Sequence, residues 1–243
     1  MTPAGQIALL VPAAYLFGSV PFGLIVGKSK GVDPRTAGSG NIGATNVGRL
    51  LGKRFFAIVF LLDLLKGMLP MLAGKWALRA APEEPWTFFL WLLVGLAAIV
   101  GHMFSVFLGF KGGKGVATSA GVVLGLFPYF TVPGLAALAV WLVTFKASRY
   151  VSLASILAAI AFPLLYAAVG LSRGWSVAGS QWPLLAFAAL VAVMIVWKHR
   201  SNIARLRAGT ESRFEPGEKP AHAPGSAPDA ATPAAPEPPT VGV

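Results

Sequence analysis

Two glycine-rich polar segments stand inside an otherwise strongly apolar chain. The first is Gly38-Ser39-Gly40-Asn41-Ile42-Gly43-Ala44-Thr45-Asn46-Val47-Gly48-Arg49, and the second is Gly109-Phe110-Lys111-Gly112-Gly113-Lys114-Gly115-Val116-Ala117-Thr118. Glycine lets backbone N–H groups converge on an anion, while Ser39, Asn41, Thr45, Asn46, Lys111 and Lys114 add hydroxyl, amide and cationic donors. Arg49 can grip a phosphate through two parallel hydrogen bonds. Each segment ends where a hydrophobic helix is expected to begin, and a helix N-terminus favours phosphate. The chemistry open to these residues is the binding of phosphorylated molecules at a membrane surface.

Neither segment is a nucleotide fingerprint. Gly38-x-Gly40-x-x-Gly43, with Asp63 20 residues further on, formally matches the dinucleotide pattern. That pattern requires a strand and a βαβ unit, whereas apolar helices flank this segment and Asp63 falls inside one. Gly109-x-x-x-Gly113-Lys114-Gly115 is one residue short of a P-loop, and Gly115 stands where the magnesium-binding hydroxyl belongs. A single phosphate held by backbone amides and Lys114 fits it better than a nucleoside triphosphate with magnesium. The bland readings are a glycine turn for the first segment and a basic loop for the second. The donor density of the first exceeds what a turn requires.

A third polar region, His199-Arg200-Ser201-Asn202-Ile203-Ala204-Arg205-Leu206-Arg207-Ala208-Gly209-Thr210-Glu211, follows the last apolar run, where a basic anchor is the alternative. Asp63 and Lys66 are i and i+3 on one helix face inside an apolar run, which reads as a structural ion pair. His102, among apolar residues at a helix end, reads as a packed, hydrogen-bonded histidine, and Ser152 is a weaker polar candidate. With three histidines and no cysteine, no zinc-ligand spacing and no thiolate chemistry exist. The absence of a Gly-x-Ser-x-Gly elbow argues against a serine hydrolase.

The elements that position these residues are membrane helices. Hydrophobic residues make up 56% of the chain and charged ones 12%, outside the range of ordinary soluble domains. Apolar runs cover Ile7–Val26, Phe55–Leu72, Thr87–Phe107, Val151–Val169 and Trp182–Trp197, each near the roughly 20 residues a bilayer requires. The first run has no preceding Lys or Arg and is followed by Lys28 and Lys30, so it reads as a retained span, not a cleaved signal. Val116–Phe145 is too long for one straight helix, and Pro128 and Pro133 divide it. Its first part, Val116–Phe127, rises only about 18 Å, which is short for a span.

With seven spans and an external N-terminus, residues 28–54, 108–115, 146–150 and 198 onward share one side. They hold six, two, two and six Lys or Arg; three lie opposite and Lys66 lies within a span. This asymmetry puts the basic side and the C-terminus in the cytoplasm. The net charge of +11 thus belongs to loops beside anionic lipid, and nucleic acid is not a partner. The fold expected is an all-α polytopic bundle of seven transmembrane helices over residues 1–215. Residues 216–243, with eight prolines in 28 residues, read as a disordered Ala/Pro-rich cytoplasmic tail.

Together the motifs resemble those of the integral-membrane acyl-phosphate:glycerol-3-phosphate acyltransferases of bacterial phospholipid synthesis. The resemblance runs from Leu16 to Glu211: Gly18-Ser19-Val20-Pro21-Phe22-Gly23, the Gly38–Arg49 segment, Asp63-Leu64-Leu65-Lys66-Gly67, Gly101-His102 through Thr118, and His199–Glu211. It implies transfer of a fatty acyl group from acyl phosphate to the 1-hydroxyl of glycerol 3-phosphate, giving lysophosphatidic acid and phosphate in the inner membrane, without cofactor. By the same resemblance, Ser39, Thr45 and Arg49 bind and polarise the acyl phosphate, with Asn41 and Asn46 beside them. Lys111, Gly112, Gly113, Lys114, Gly115 and Ser152 serve substrate binding, and His199 and Asn202 orient or activate the reacting groups. Asp63, Lys66 and Glu211 are structural. A soluble acyl-phosphate-producing enzyme is the implied partner.

Soluble-type glycerolipid acyltransferases use His-x4-Asp, but the fifth residue after His102 is Phe107 and after His199 is Ala204. The rival class is a transporter or flippase for a phosphorylated solute, which needs basic residues at broken helices near the midplane. Here the basic motifs gather at one expected face, which suits an interfacial enzyme.

Overall fold

The computed structural model describes residues 1–214, and every regular element among them is a helix. The expected tail, from 216 onward, lies outside the described residues. The first apolar run forms α1 (Pro3–Ser19) and α2 (Phe22–Lys28). They separate at Val20-Pro21 because proline lacks a ladder N–H and drives the preceding residue out of the helical region; Val20 has ψ 118°. At the break, side chains from beyond the first span meet the carbonyls of Ser19 and Val20. Ser105 Oγ donates to Ser19 O at 2.6 Å and Lys66 Nζ to Val20 O at 2.9 Å.

The remaining helices are α3 (Ala44–Leu51), α4 (Lys53–Ala77), α5 (Pro85–Met103), α6 (Val116–Gly125), α7 (Thr131–Ser148), α8 (Val151–Ser172), α9 (Trp182–Lys198) and α10 (Arg200–Arg207). Five helical stretches among the described residues are long and apolar enough to cross a membrane, and α9 with α10, bent by 57° at His199, makes a sixth candidate. The ten-residue α6 is apolar but short. Val116–Phe145 divides into α6 and α7 as expected, with Pro128 in the turn; Pro133, however, sits in the first turn of α7, where no helical hydrogen bond is lost.

The first glycine segment differs from expectation. It does not run as a loop into a span, because its second half is the separate short helix α3. Gly52 ends α3, and α4 begins at the next residue.

Two tight pairings set the frame. A side chain at Gly18 would strike the Ala98 carbonyl and one at Gly101 the Tyr15 carbonyl, so α1 and α5 meet backbone to backbone. Gly67 against Thr118 O and Gly121 against Leu64 O do the same for α4 and α6. Small residues permit this approach where lipid supplies no hydrophobic drive between helices. Phe130 fills the bundle interior, edge-on to Phe162 and Tyr166 at centroid distances of 4.9 and 5.3 Å. At the opposite end from this aromatic core, the segments around residues 39–49, 109–115, 149–152 and 199–214 converge.

Candidate functional site

Asn46, 2% exposed, organises the first wall of the site. Its Nδ2 donates to Pro34 O, Ala37 O and Asn41 O at 2.9, 3.1 and 2.8 Å, and its Oδ1 accepts from Ser39 N at 2.8 Å. The amide is thus committed to folding the loop, although sequence reading counts it among the substrate-binding residues. Asn41 Oδ1 accepts from Gly43 N at 2.9 Å, closing the turn into α3. Thr45 and Arg49 follow at i and i+4 on one face of α3 and line the same cavity. Arg49 Nη2 also donates to Ser212 O at 2.9 Å.

The second wall is the 109–115 loop between α5 and α6. Gly113 N donates to His102 O at 3.0 Å, and side chains at Gly112 and Gly113 would collide with the His102 carbonyl and imidazole respectively. Gly115, with φ 83°, adopts the left-handed conformation that starts α6. His102 lies buried with Nδ1 3.7 Å from Asp63 Oδ1, and Lys66 Nζ reaches that oxygen at 2.7 Å. Asp63 and Lys66 lie in α4 and link the broken first span to the glycine loop. Lys198 Nζ donates to Met103 O at 2.7 Å, anchoring the start of the loop to the end of α9.

The third wall comes from α8 to α10. Glu211 Oε1 accepts from Ser152 Oγ at 2.7 Å and from Asn202 Nδ2 at 2.6 Å, while Oε2 accepts from Arg205 Nε at 2.7 Å. Burial raises the Glu211 carboxyl, but these three hydrogen bonds outweigh it and hold the group below its ordinary range. Lys114 Nζ donates to Asn202 Oδ1 at 2.5 Å. Ammonium only donates and carboxylate only accepts, so the orientation of the Asn202 amide is fixed by its neighbours. Burial pushes Lys114 down to about 8, with Arg205 and Arg49 adding to the effect and Glu211 opposing it. His199 sits at the α9–α10 bend, where Nδ1 donates to Ile195 O at 2.8 Å. A carbonyl can only accept, so the neutral ring keeps its lone pair on Nε2.

These walls enclose two adjoining cavities. One, of about 140 Å³, is lined by Thr45, Arg49, Ser152, His199, Asn202 and Glu211 and by the apolar side chains Phe56, Phe60 and Trp141. The other, of about 240 Å³, is polar and basic, lined by Gly112, Gly113, Lys198, Arg200, Ser201 and Arg205. Ser39, Asn41 and Lys114 line both. Every sequence-selected polar candidate borders a cavity except Lys111, which is exposed outside them, and Lys66, which lies behind Asp63. Lys198 and the aromatic residues Phe56, Phe60 and Trp141 were not singled out in the sequence. Lys198 adjoins the third motif and was within reach, but aromatic residues in apolar runs look the same whether they face lipid or a site.

The glycerol-3-phosphate acyltransferase family profile matches residues 8–209. The chain is 46% identical over 208 residues to a glycerol-3-phosphate acyltransferase of Geobacter sulfurreducens, covering 85% of this chain and 97% of that one. The Aquifex aeolicus protein of the same name is 46% identical over 206 residues, covering 84% and 97%. Among solved structures, PlsY, an integral membrane glycerol 3-phosphate acyltransferase in its glycerol 3-phosphate form, superimposes with a TM-score of 0.73 at 44% identity, covering 86% of this chain and 96% of that one. Its lysophosphatidic acid form gives 0.71 at 43% identity. The helical membrane bundle, the paired cavities and these matches agree, and the chain belongs to the glycerol-3-phosphate acyltransferase family.

Proposed function

We propose that the protein transfers a fatty acyl group from acyl phosphate to the 1-hydroxyl of glycerol 3-phosphate, releasing 1-acylglycerol 3-phosphate and inorganic phosphate. The observation that carries this reading is the pairing of an aromatic-walled cavity with a basic one, joined at Lys114 and Ser39. The acyl end needs apolar walls, and glycerol 3-phosphate needs cations and amides. Thr45 and Arg49 border only the aromatic cavity, which supports their role on the acyl phosphate. Gly112 and Gly113 border only the basic cavity, which supports theirs on glycerol 3-phosphate.

The glycerol oxygen attacks the acyl carbonyl, the carbonyl carbon–oxygen bond to phosphate breaks, and phosphate leaves. The hydroxyl proton passes to His199 Nε2 or to the departing phosphate. Because phosphate is a good leaving group, the work of the protein is positioning and charge stabilisation, by Arg49, Lys114 and the Ser39 hydroxyl. Asn202 and Ser152 serve through Glu211, which fixes the bend that presents His199. Asn46 holds the first loop in shape, and Asp63 and Lys66 support the second from behind. Neither nucleotide nor metal takes part in the step.

Seven spans follow from counting α6 as a short crossing and α9 as a full one, with an external N-terminus and the site facing the cytoplasm of a bacterial inner membrane. Residues 1–215 form the acyltransferase unit, and 216–243 a disordered cytoplasmic tail. Acyl phosphate, a reactive mixed anhydride, reaches the site from a soluble enzyme that makes it. The decisive experiment is phosphate release by purified protein given palmitoyl phosphate and glycerol 3-phosphate in the presence of chelator. Turnover with acyl thioester but not acyl phosphate, or a strict magnesium requirement with well-dispersed substrate, would overturn the reading.

A further inference from the structure

The aromatic-walled cavity is too small to hold a whole long fatty acyl chain, so the tail must leave it sideways between helices. Phe56 and Phe60 of α4 line one side of the cavity and Trp141 of α7 the other. Phe214 bridges the two sides. Its ring lies 5.9 Å from Phe56 and 6.1 Å from Phe145, while Phe56 stacks on Phe60 at 5.9 Å and Phe145 on Trp141 at 5.0 Å. Five rings thus form an unbroken arc from one cavity wall to the other, and the central ring comes from the short strap after α10. Residues 210–214 lie beyond the segment that the family profile matches.

The strap is rooted in the site at Glu211 and runs along the surface beyond it. Glu211 is buried among Ser152, Asn202 and Arg205, whereas Ser212 and Arg213 are exposed. Its backbone is tied by Arg49 to Ser212 O at 2.9 Å and by Phe214 N to Arg149 O at 2.9 Å. Arg213 Nε donates to the Tyr150 hydroxyl at 3.3 Å and its guanidinium lies over that ring at 5.4 Å, both at the surface, and surface contacts of this kind open at lower cost than buried ones. Arg49 also faces the cavity, so the side chain that meets the acyl phosphate also holds the strap.

We propose that Phe214 is the gate of the acyl-tail exit between α4 and α7 and discriminates among acyl donors by length. A long tail has to displace the ring from between Phe56 and Phe145, and a short one stays inside. The inference rests on the acyl-phosphate reading above.

The test is steady-state kinetics of the full chain with octanoyl phosphate and palmitoyl phosphate, comparing wild type with Phe214→Ala and Phe214→Trp. Phe214→Ala lowers KM for palmitoyl phosphate by roughly 5-fold. Its KM for octanoyl phosphate and for glycerol 3-phosphate stays near the wild-type value, the latter showing that the fold is intact. Phe214→Trp raises the palmitoyl value and spares the octanoyl one. An unchanged palmitoyl-to-octanoyl ratio in both variants, or a raised palmitoyl KM in Phe214→Ala, overturns the gate while leaving the acyl-phosphate reading in place. A wild-type protein inactive with both donors overturns that reading and the gate with it.

Discussion

Gly113→Ala tests how the glycine loop is held. The added methyl would not meet the bound anion first; it would fall on the imidazole of His102. That ring has little room to retreat, being 4% exposed and set against Asp63, which Lys66 grips from the other side. The loop must therefore move, and forcing one extra carbon into a packed site costs about 1–3 kcal/mol. If the loop recovers its shape only when glycerol 3-phosphate is bound, the cost appears as a KM for that substrate raised roughly 5- to 150-fold, with kcat less affected. The assay is initial-rate kinetics at saturating palmitoyl phosphate, on Gly113→Ala, His102→Ala and the double variant. Removing the imidazole makes room for the methyl, so the double variant should lose less than the two single losses combined, with a coupling of at least about 1 kcal/mol. Strictly additive losses would refute the argument that the imidazole is what excludes a side chain at position 113.

Arg49→Lys keeps the charge but loses the fork of donors, so kcat should fall by on the order of 10²-fold with glycerol 3-phosphate KM nearly unchanged, read by the same kinetics. Lys114 is held near 8 in the free protein, so its charge is present below that pH and lost as pH rises through it. The KM for glycerol 3-phosphate should therefore climb above about pH 8, and Lys114→Arg, which cannot deprotonate there, should flatten that limb even if it binds more weakly. Glu211→Gln removes the charge that Arg205, Asn202 and Ser152 satisfy, and the melting temperature should drop. Because the folded carboxyl is depressed, the stability it contributes is present above the ordinary glutamate range and lost as pH falls through the depressed value, so the difference between wild type and variant should shrink in acid. For topology, Lys111→Cys and Ala80→Cys occupy exposed positions on this cysteine-free chain. In intact cells the first should be protected from an impermeant maleimide and the second labelled; the reverse pattern overturns the orientation.

The all-helical class and most of the apolar runs were legible because long apolar runs are strong, local signals, and clustered donors marked the segments that come to line the cavities. The division of Val116–Phe145 followed from length and proline alone. What escaped was set by contacts distant in sequence. Nothing near Asn46 reveals that its amide would be consumed by four backbone groups of its own loop. Gly113 reads as an anion cradle, yet the atom that excludes a side chain there belongs to His102. The segment from Ala44 to Leu51 carries an amphipathic pattern only eight residues long, too short to separate from a loop by periodicity. Phe56, Phe60 and Trp141 could not be told from lipid-facing aromatics until α4, α7 and the strap came together.

The hydrogen bond from Lys66 to the Val20 carbonyl bears on how the chain is made. A helix bearing both Asp63 and Lys66 is a poor guest in hydrocarbon on its own, since each charge carries an insertion penalty. The two charges already oppose one another at i and i+3, which removes part of that cost within the helix itself. A second ammonium donor finds its acceptor at the break in the first span, and ribosomal order delivers that span before α4 is synthesised. The kink at Pro21 is therefore a receptacle waiting for α4 during membrane insertion. A chain deprived of its first span should fail at this step, leaving α4 poorly integrated and exposed to membrane quality-control proteases.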